Sequence, residues 1–299
     1  MKPLIKKVPR LGLWPACAAA LILITGALTA CTEALTPVEE PVIDNPIDPQ
    51  NPDYDPPTVT ITGGPSDGST VSNDQVTFTW QGNKTNLRFR FRITGGEWDG
   101  TWQSWSTQTS YTLDYLDELS YTFEVQSGDA NDPDDPVQVS DTTDSRTFTV
   151  DAVQGPALRM SPTRTYSSTN STISLDIVAE DITDLTMTRV RIQFNSSLLQ
   201  FEGSYSFGSF LTSNGGDVLN FDPYVDNVSG IVEFNFGVAG ASPPGVSGTG
   251  TILIVDFRAT GTGTTDVTFS PTYTLLRNDD NNPITIASSD LYGSRVIIQ

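Results

Sequence analysis

The sequence predicts an all-β protein of two successive β-sandwiches, and three observations carry that prediction. Short runs of alternating apolar and polar residues recur from residue 57 onward, as in Leu87, Phe89, Phe91 and Ile93 set between Arg88, Arg90 and Arg92; this is the period of a strand with one buried and one wet face. Gly, Asn, Asp and Pro punctuate these runs and no stretch keeps a helical apolar period over three turns, as expected of sandwiches built from short strands. The piece Asp151-Ala152-Val153-Gln154-Gly155-Pro156 divides the patterned region into residues 57–152 and 156–299, each long enough to bury its own core.

Residues 1–30 have a different character. Lys2, Lys6, Lys7 and Arg10 precede an almost wholly apolar run that ends in Leu28-Thr29-Ala30-Cys31, which is a cationic and then a hydrophobic region of a signal peptide. The last four residues resemble the lipobox read by lipoprotein signal peptidase, and this resemblance implies cleavage before Cys31 and lipidation of its sulfur. Cys17, inside the apolar run, leaves with the signal, so the processed chain has no disulfide and no thiol nucleophile. It then carries twelve basic residues against thirty-six acids, a formal charge of −24, which disfavours nucleic acid and anionic lipid head groups as partners. Of those acids 27 are Asp and only Lys84 remains among the lysines, a bias that resembles proteins of salt-loving organisms.

Residues 31–56 combine prolines with Glu33, Glu39, Glu40, Asp44, Asp48, Asp53 and Asp55 and hold no Lys or Arg. A segment of this kind buries too little apolar surface to fold, and as extended polyproline it reaches on the order of 80 Å. It is expected to be a disordered linker that lifts the folded part off the membrane.

In residues 57–152, Val76, Phe78 and Trp80 precede the arginine-bearing strand, Trp98 and Trp105-Ser106 follow it, and Tyr121, Phe123, Val125 and Phe148 complete the alternation. This order resembles the fibronectin type III and immunoglobulin-like modules of bacterial surface proteins. In residues 156–299, Ile173, Leu175 and Ile177 lead to Leu185 and then to Val190-Arg191-Ile192-Gln193-Phe194-Asn195-Ser196-Ser197-Leu198-Leu199; Gly230-Ile231-Val232-Glu233-Phe234, Gly250-Thr251-Ile252-Leu253-Ile254-Val255-Asp256-Phe257 and Asp266-Val267-Thr268-Phe269 follow. That order is similar to the cohesin family, with Asn195 and Ser196 standing where the family usually has aspartate and proline. The resemblance implies a jelly-roll sandwich and, as partner, a dockerin-like protein module or a polysaccharide, in a non-catalytic scaffold for polysaccharide breakdown. A structural envelope or assembly protein is the alternative, and a carboxylate-dependent glycoside hydrolase a remote one.

The chain has no histidine, which excludes Ser-His and Cys-His nucleophiles and His-ligated zinc; no cofactor and no metal site is expected. The acidic groups Asp129, Asn131, Asp132, Asp134 and Asp135, and Asp279, Asp280, Asn281 and Asn282, offer the oxygen donors calcium takes but lack EF-hand spacing, and solvated turns are the favoured reading. Trp98, Trp102 and Trp105 offer a platform for sugar rings, Trp98 and Trp102 above all, with packing under the strand edge as the alternative. The stripe Arg88, Arg90, Arg92 suits either an anionic ligand or pairing with Glu124 and its neighbours, which is favoured. Alternation turns Arg189, Arg191 and Gln193 outward, and in the resembled family this strand grips the partner, so these three are the expected partner-binding residues. The protein is expected to be exported and lipid-anchored, at the outer membrane rather than the inner because Thr32, not aspartate, follows Cys31. Radiolabelled fatty acid should enter the wild type and be lost in Cys31→Ser; equal labelling of both would refute the anchor.

Overall fold

A computed structural model describes residues 52–129, 138–139, 143–242 and 244–299. Residues 1–30, Cys31, the linker up to residue 51, and Asn131, Asp132, Asp134 and Asp135 lie outside the described residues. The described residues belong to one compact unit, and its architecture is all-β.

The first nine strands are β1 Val59–Gly63, β2 Ser69–Val71, β3 Val76–Gly82, β4 Leu87–Gly95, β5 Trp98–Asp99, β6 Ser110–Leu113, β7 Ser120–Asp129, β8 Gln138–Val139 and β9 Asp144–Val150. They form a sheet of order β1-β3-β6 and a facing sheet of order β2-β9-β7-β4-β5, with β8 on β7. Every second residue of β4 and β7 is buried, and Phe78, Trp80, Phe91, Phe123 and Phe148 fill the space between the sheets. Phe78 and Phe123 stack at 4.1 Å, so each sheet supplies one ring of a close aromatic pair.

The next twelve are β10 Ala157–Ser161, β11 Arg164–Ser167, β12 Thr172–Gln193, β13 Leu199–Phe207, β14 Asp217–Asp226, β15 Ile231–Ala239, β16 Val246–Ala259, β17 Gly263–Phe269, β18 Leu275–Asn278, β19 Pro283–Ile284, β20 Leu291–Tyr292 and β21 Ser294–Ile298. The organising element is β12. Its first part pairs with β10 and β16 and its last part with β15, β17 and β18, so one 22-residue strand serves both layers. Between them the register against β16 shifts three times, from Ile177 to Leu185, and Asp181 and Asp184 take left-handed φ values of 48° and 57°. Asp is among the few side chains that tolerate this geometry. The corner is fastened by the backbone N–H of Asp181 donating to Thr249 Oγ1 and that of Asp184 to Ser247 Oγ. Ile173, Leu175, Ile177, Val190, Ile192 and Phe194 all enter one core with Phe234, Val255 and Phe257.

Polar contacts join residues 97–118 to residues 161–295. The buried Asp117 carboxylate accepts from the backbone N–H and the hydroxyl of Thr163 at 2.7 and 2.8 Å. Arg164 reaches Glu97 at 2.5 Å and Asp114 at 2.7 Å. Burial opposes its charge, but the hydrogen bonds to these two acids outweigh that and hold the guanidinium above its ordinary pKa. Tyr115, at a left-handed φ of 54°, lies under both Arg164 and Arg295, 5.3 and 4.9 Å from ring centre to guanidinium, and accepts a hydrogen bond from Arg295. A Tyr in that conformation is strained, and the two cations it serves give the strain a structural reason. Glu118 completes the joint by accepting from the backbone N–H groups of Ala152 and Val153.

Removing one partner from this buried cluster leaves charges unmatched. Since Asp114 is half exposed, Arg164→Ala is expected to lower stability by about 1–3 kcal/mol and to split the calorimetric unfolding of the chain into two transitions; one unsplit, unshifted transition would refute the clamp. Glu118 gives a second measurement. Burial raises its pKa despite the two N–H donors, so the folded state holds this proton more tightly than the unfolded chain, and stability present at low pH is lost as pH rises through the folded value. Glu118→Gln, which keeps an acceptor for both N–H groups, should gain in melting temperature over the wild type as pH rises from the ordinary glutamate range to neutrality. A gain that is flat or shrinks across that window would contradict this.

Candidate functional site

The outer face of the sheet formed by β14, β15, the end of β12 and β18 is the surface that demands explanation. Pairing registers set its rows: Leu219, Gly237, Met187 and Arg277; then Phe221, Asn235, Arg189 and Leu275; then Tyr224, Glu233 and Arg191; then Asp226, Ile231 and Gln193. Alternation along β12 buries Thr186, Thr188, Val190 and Ile192 and turns Met187, Arg189, Arg191 and Gln193 out. The three residues expected from the sequence therefore stand side by side on one face.

Their surroundings differ. Arg191 is committed within the protein: it donates to Glu233 at 2.7 and 2.8 Å and lies 3.5 Å over the centre of the Tyr273 ring. Arg189 donates through Nε to the carbonyl of Tyr273 at 2.9 Å and Arg277 donates to the carbonyl of Asn281; among the described residues neither forms a salt bridge. Gln193 is exposed at the end of the face. Two unmatched cations thus stand on an otherwise very acidic chain.

Around them lie apolar side chains that the sequence reading did not single out. Met187, Leu219, Phe221 and Tyr224 are each more than half exposed, at 52, 53, 60 and 56%. A run of this kind on one face exceeds the scattered apolar residues of an ordinary surface. Gly237 sits between Leu219 and Met187 and presents no side chain, and beside it a shallow groove of about 170 Å³ is lined by Met187, Arg189, Phe221, Asn235, Leu275 and Arg277. Among the described residues, the strand that carries Leu219, Phe221 and Tyr224, β14, pairs with β15 alone, so its far side is an unpaired edge within them. Their alternation with Asn220 and Asp222 is visible in the sequence as a strand, yet it gives no sign that the apolar side stays uncovered.

The tryptophans lie on the other sandwich. Backbone N–H groups of Gly100, Gln103 and Ser106 donate to the carbonyls of Ile93, Phe91 and Phe89, which lays this segment along β4. Trp102 and Trp105 then bracket Arg90 at 4.8 and 4.6 Å, and Trp102 also faces Arg92 at 4.7 Å. Arg92 pairs with Glu124 at 2.5 Å, while Arg90 donates to Gln126. Burial, with the neighbouring Arg92 behind it, lowers the Arg90 pKa, whereas the hydrogen bond to Glu124 raises that of Arg92. Arg88 stands opposite Gly128, and its buried Nε has no partner among the described residues. The stripe is thus an arginine–tryptophan stack paired across the sheet. Trp98 packs half-buried against the core.

The second acidic cluster is a hairpin turn. Asn278 Oδ1 accepts from the backbone N–H of Asn282, Asn281 is left-handed, and the backbone N–H of Asp279 donates to Asp184. In the first cluster, Asp129 pairs with Lys84 at 2.8 Å.

No protein-family model matches this sequence, and no curated protein matches it. Solved structures that it resembles are cohesin domains. A non-cellulosomal cohesin from the hyperthermophilic archaeon Archaeoglobus fulgidus is 16% identical, with a TM-score of 0.38 over 48% of this chain and 90% of that one. A type II cohesin domain from the cellulosome of Acetivibrio cellulolyticus is 17% identical, with a TM-score of 0.39 over 46% and 92%. A cohesin of the same organism, solved in complex with a dockerin, is 15% identical, with a TM-score of 0.38 over 47% and 98%.

Proposed function

We propose that this protein is a non-catalytic, lipid-anchored recognition protein whose sheet face of β14, β15, β12 and β18 binds a protein module of the dockerin kind. The observation that carries the reading is the exposed cluster of Met187, Leu219, Phe221 and Tyr224 around two unmatched arginines. A partner that covers it needs an apolar patch to remove these side chains from water and acids to meet Arg189 and Arg277. A flat protein surface fits this face better than a sugar chain, because the groove is shallow and the exposed Leu219 and Tyr224 extend the apolar surface beyond it. The residues whose order resembles the cohesin family, Val190 to Phe194, lie on the strand at its centre. The other sandwich serves as a spacer fixed to the first by the Arg164 joint.

The test is binding of the full chain to dockerin-bearing proteins, measured by calorimetry. Phe221→Asp is expected to weaken binding by at least about ten-fold, because it introduces a charge at the apolar centre, and Arg189→Glu should weaken it most at low salt. A dockerin whose contact surface lacks acids is expected to bind more weakly than one that has them. If both substitutions leave the affinity of a bound dockerin unchanged, the face is misassigned; if no dockerin binds, the structural or assembly reading gains.

A further inference from the structure

The joint between the two sandwiches holds a second concavity, lined by none of the residues that line the groove on the sheet face. It has a volume of about 230 Å³ and takes its walls from both sandwiches: Ser72, Asn73 and Asp74 from the β2–β3 turn, Leu116 and Glu118 before β7, Val153 from the connection, Arg159 and Met160 from β10, and Tyr292 from β20. At about 30 Å³ per water this is room for on the order of seven waters, the space of one pyranose ring.

We propose that this cavity binds a single neutral sugar residue. Its floor is apolar, made by the buried Leu116, Val153 and Met160, and suits the C–H face of a ring. Tyr292, at 38% exposure, supplies an aromatic surface at one wall. The polar groups are mixed: Asp74 and Glu118 accept, Arg159 donates, and Ser72 and Asn73 do both. Hydroxyls, which also donate and accept, use such a set in full, whereas an ammonium ion leaves the donors of Arg159 and Asn73 idle.

Charge selects against anions. Arg159 pairs with Glu180 at 2.8 Å and its one positive charge also acts on Glu118, so against Glu180, Glu118 and Asp74 the surroundings of the cavity stay net negative. A uronate meets repulsion there. Among the described residues, the side chains of Ser72, Asn73, Asp74 and Tyr292 make no hydrogen bond to another side chain or to the backbone, so four groups at the mouth stand ready for a ligand. The walls are preorganised, because Asp117–Thr163 and Arg164–Glu97 hold the two sandwiches on either side of it and Glu118 fixes the connection at Val153, and a preformed site loses little freedom on binding.

The test uses the full chain and a panel of methyl glycosides of neutral hexoses and pentoses, of glucuronate and of glucosamine, read by saturation-transfer NMR and calorimetry. At least one neutral glycoside is expected to bind, with glucuronate and glucosamine at least about ten-fold weaker. Tyr292→Ala removes the aromatic wall and Ser72→Trp, at an exposed position, plugs the mouth without entering the core; each should lower affinity by about ten-fold or more. Melting temperatures near that of the wild type show that both variants fold. Phe221→Asp, on the sheet face, should bind the sugar as the wild type does, so failure of this site and failure of the partner face are told apart. Absence of binding by every neutral glycoside, a preference for the charged sugars, or affinity unmoved by both cavity variants would overturn the proposal.

Discussion

One strand that belongs to both layers is the constraint on which the C-terminal sandwich depends. Because β12 pairs with β10 and β16 before its corner and with β15 and β18 after it, the position of the outward row from Met187 to Gln193 is fixed by the packing of Ile173, Leu175 and Ile177 in the other sheet. A one-residue slip anywhere along it would carry Val190 and Ile192 to the surface and the arginines into the core. The two left-handed aspartates absorb the change of direction without such a slip, since their insertions come in the corner where neither layer needs continuous pairing. The geometry of the exposed face is therefore inherited from the core rather than from flexible loops, and a face so held would lose little freedom on binding the proposed partner.

The joint works by a different physics. The two cores are separate clusters, and a set of short charge-assisted hydrogen bonds around Asp117 and Arg164 connects the two sandwiches. Such bonds are directional, so they set the angle between the sandwiches more sharply than an apolar contact of similar area would. They are also intolerant of loss, because each acid left behind keeps its desolvation. The left-handed Tyr115 belongs to the same logic: its ring and hydroxyl serve two arginines at once, and the backbone strain is offset only while both are in place.

How far the sequence disclosed this structure follows from the range of each signal. Alternation is local, so β4, β7 and the end of β12 are legible, as is the outward turn of Arg189, Arg191 and Gln193. The same rule marks residues 173–177 and 190–194, but it has no means of showing that Asp181 and Asp184 bend one strand between them instead of ending it. The pairing of Arg92 with Glu124 was legible too, since both lie on alternating strands with matching faces. Arg164 was not, for its partners lie 50 and 67 residues away and nothing local marks it. The apolar row on β14 fell between these cases: its period is plain, but whether a strand's apolar side meets a core or water is decided by the rest of the fold.

Net charge and local charge act on different lengths at the exposed face. The acids spread over the chain repel an acidic partner at long range, while Arg189 and Arg277 attract it only once the surfaces nearly touch. At physiological ionic strength the Debye length is about 8 Å, so distant repulsion is largely screened and contacts across a closing interface are not. An acidic partner is thus held off at very low salt and loses its arginine contacts at high salt. Under the proposed role, recognition by this face would be best served between those limits, with the apolar residues supplying most of the adhesion and the two cations deciding which partner is accepted.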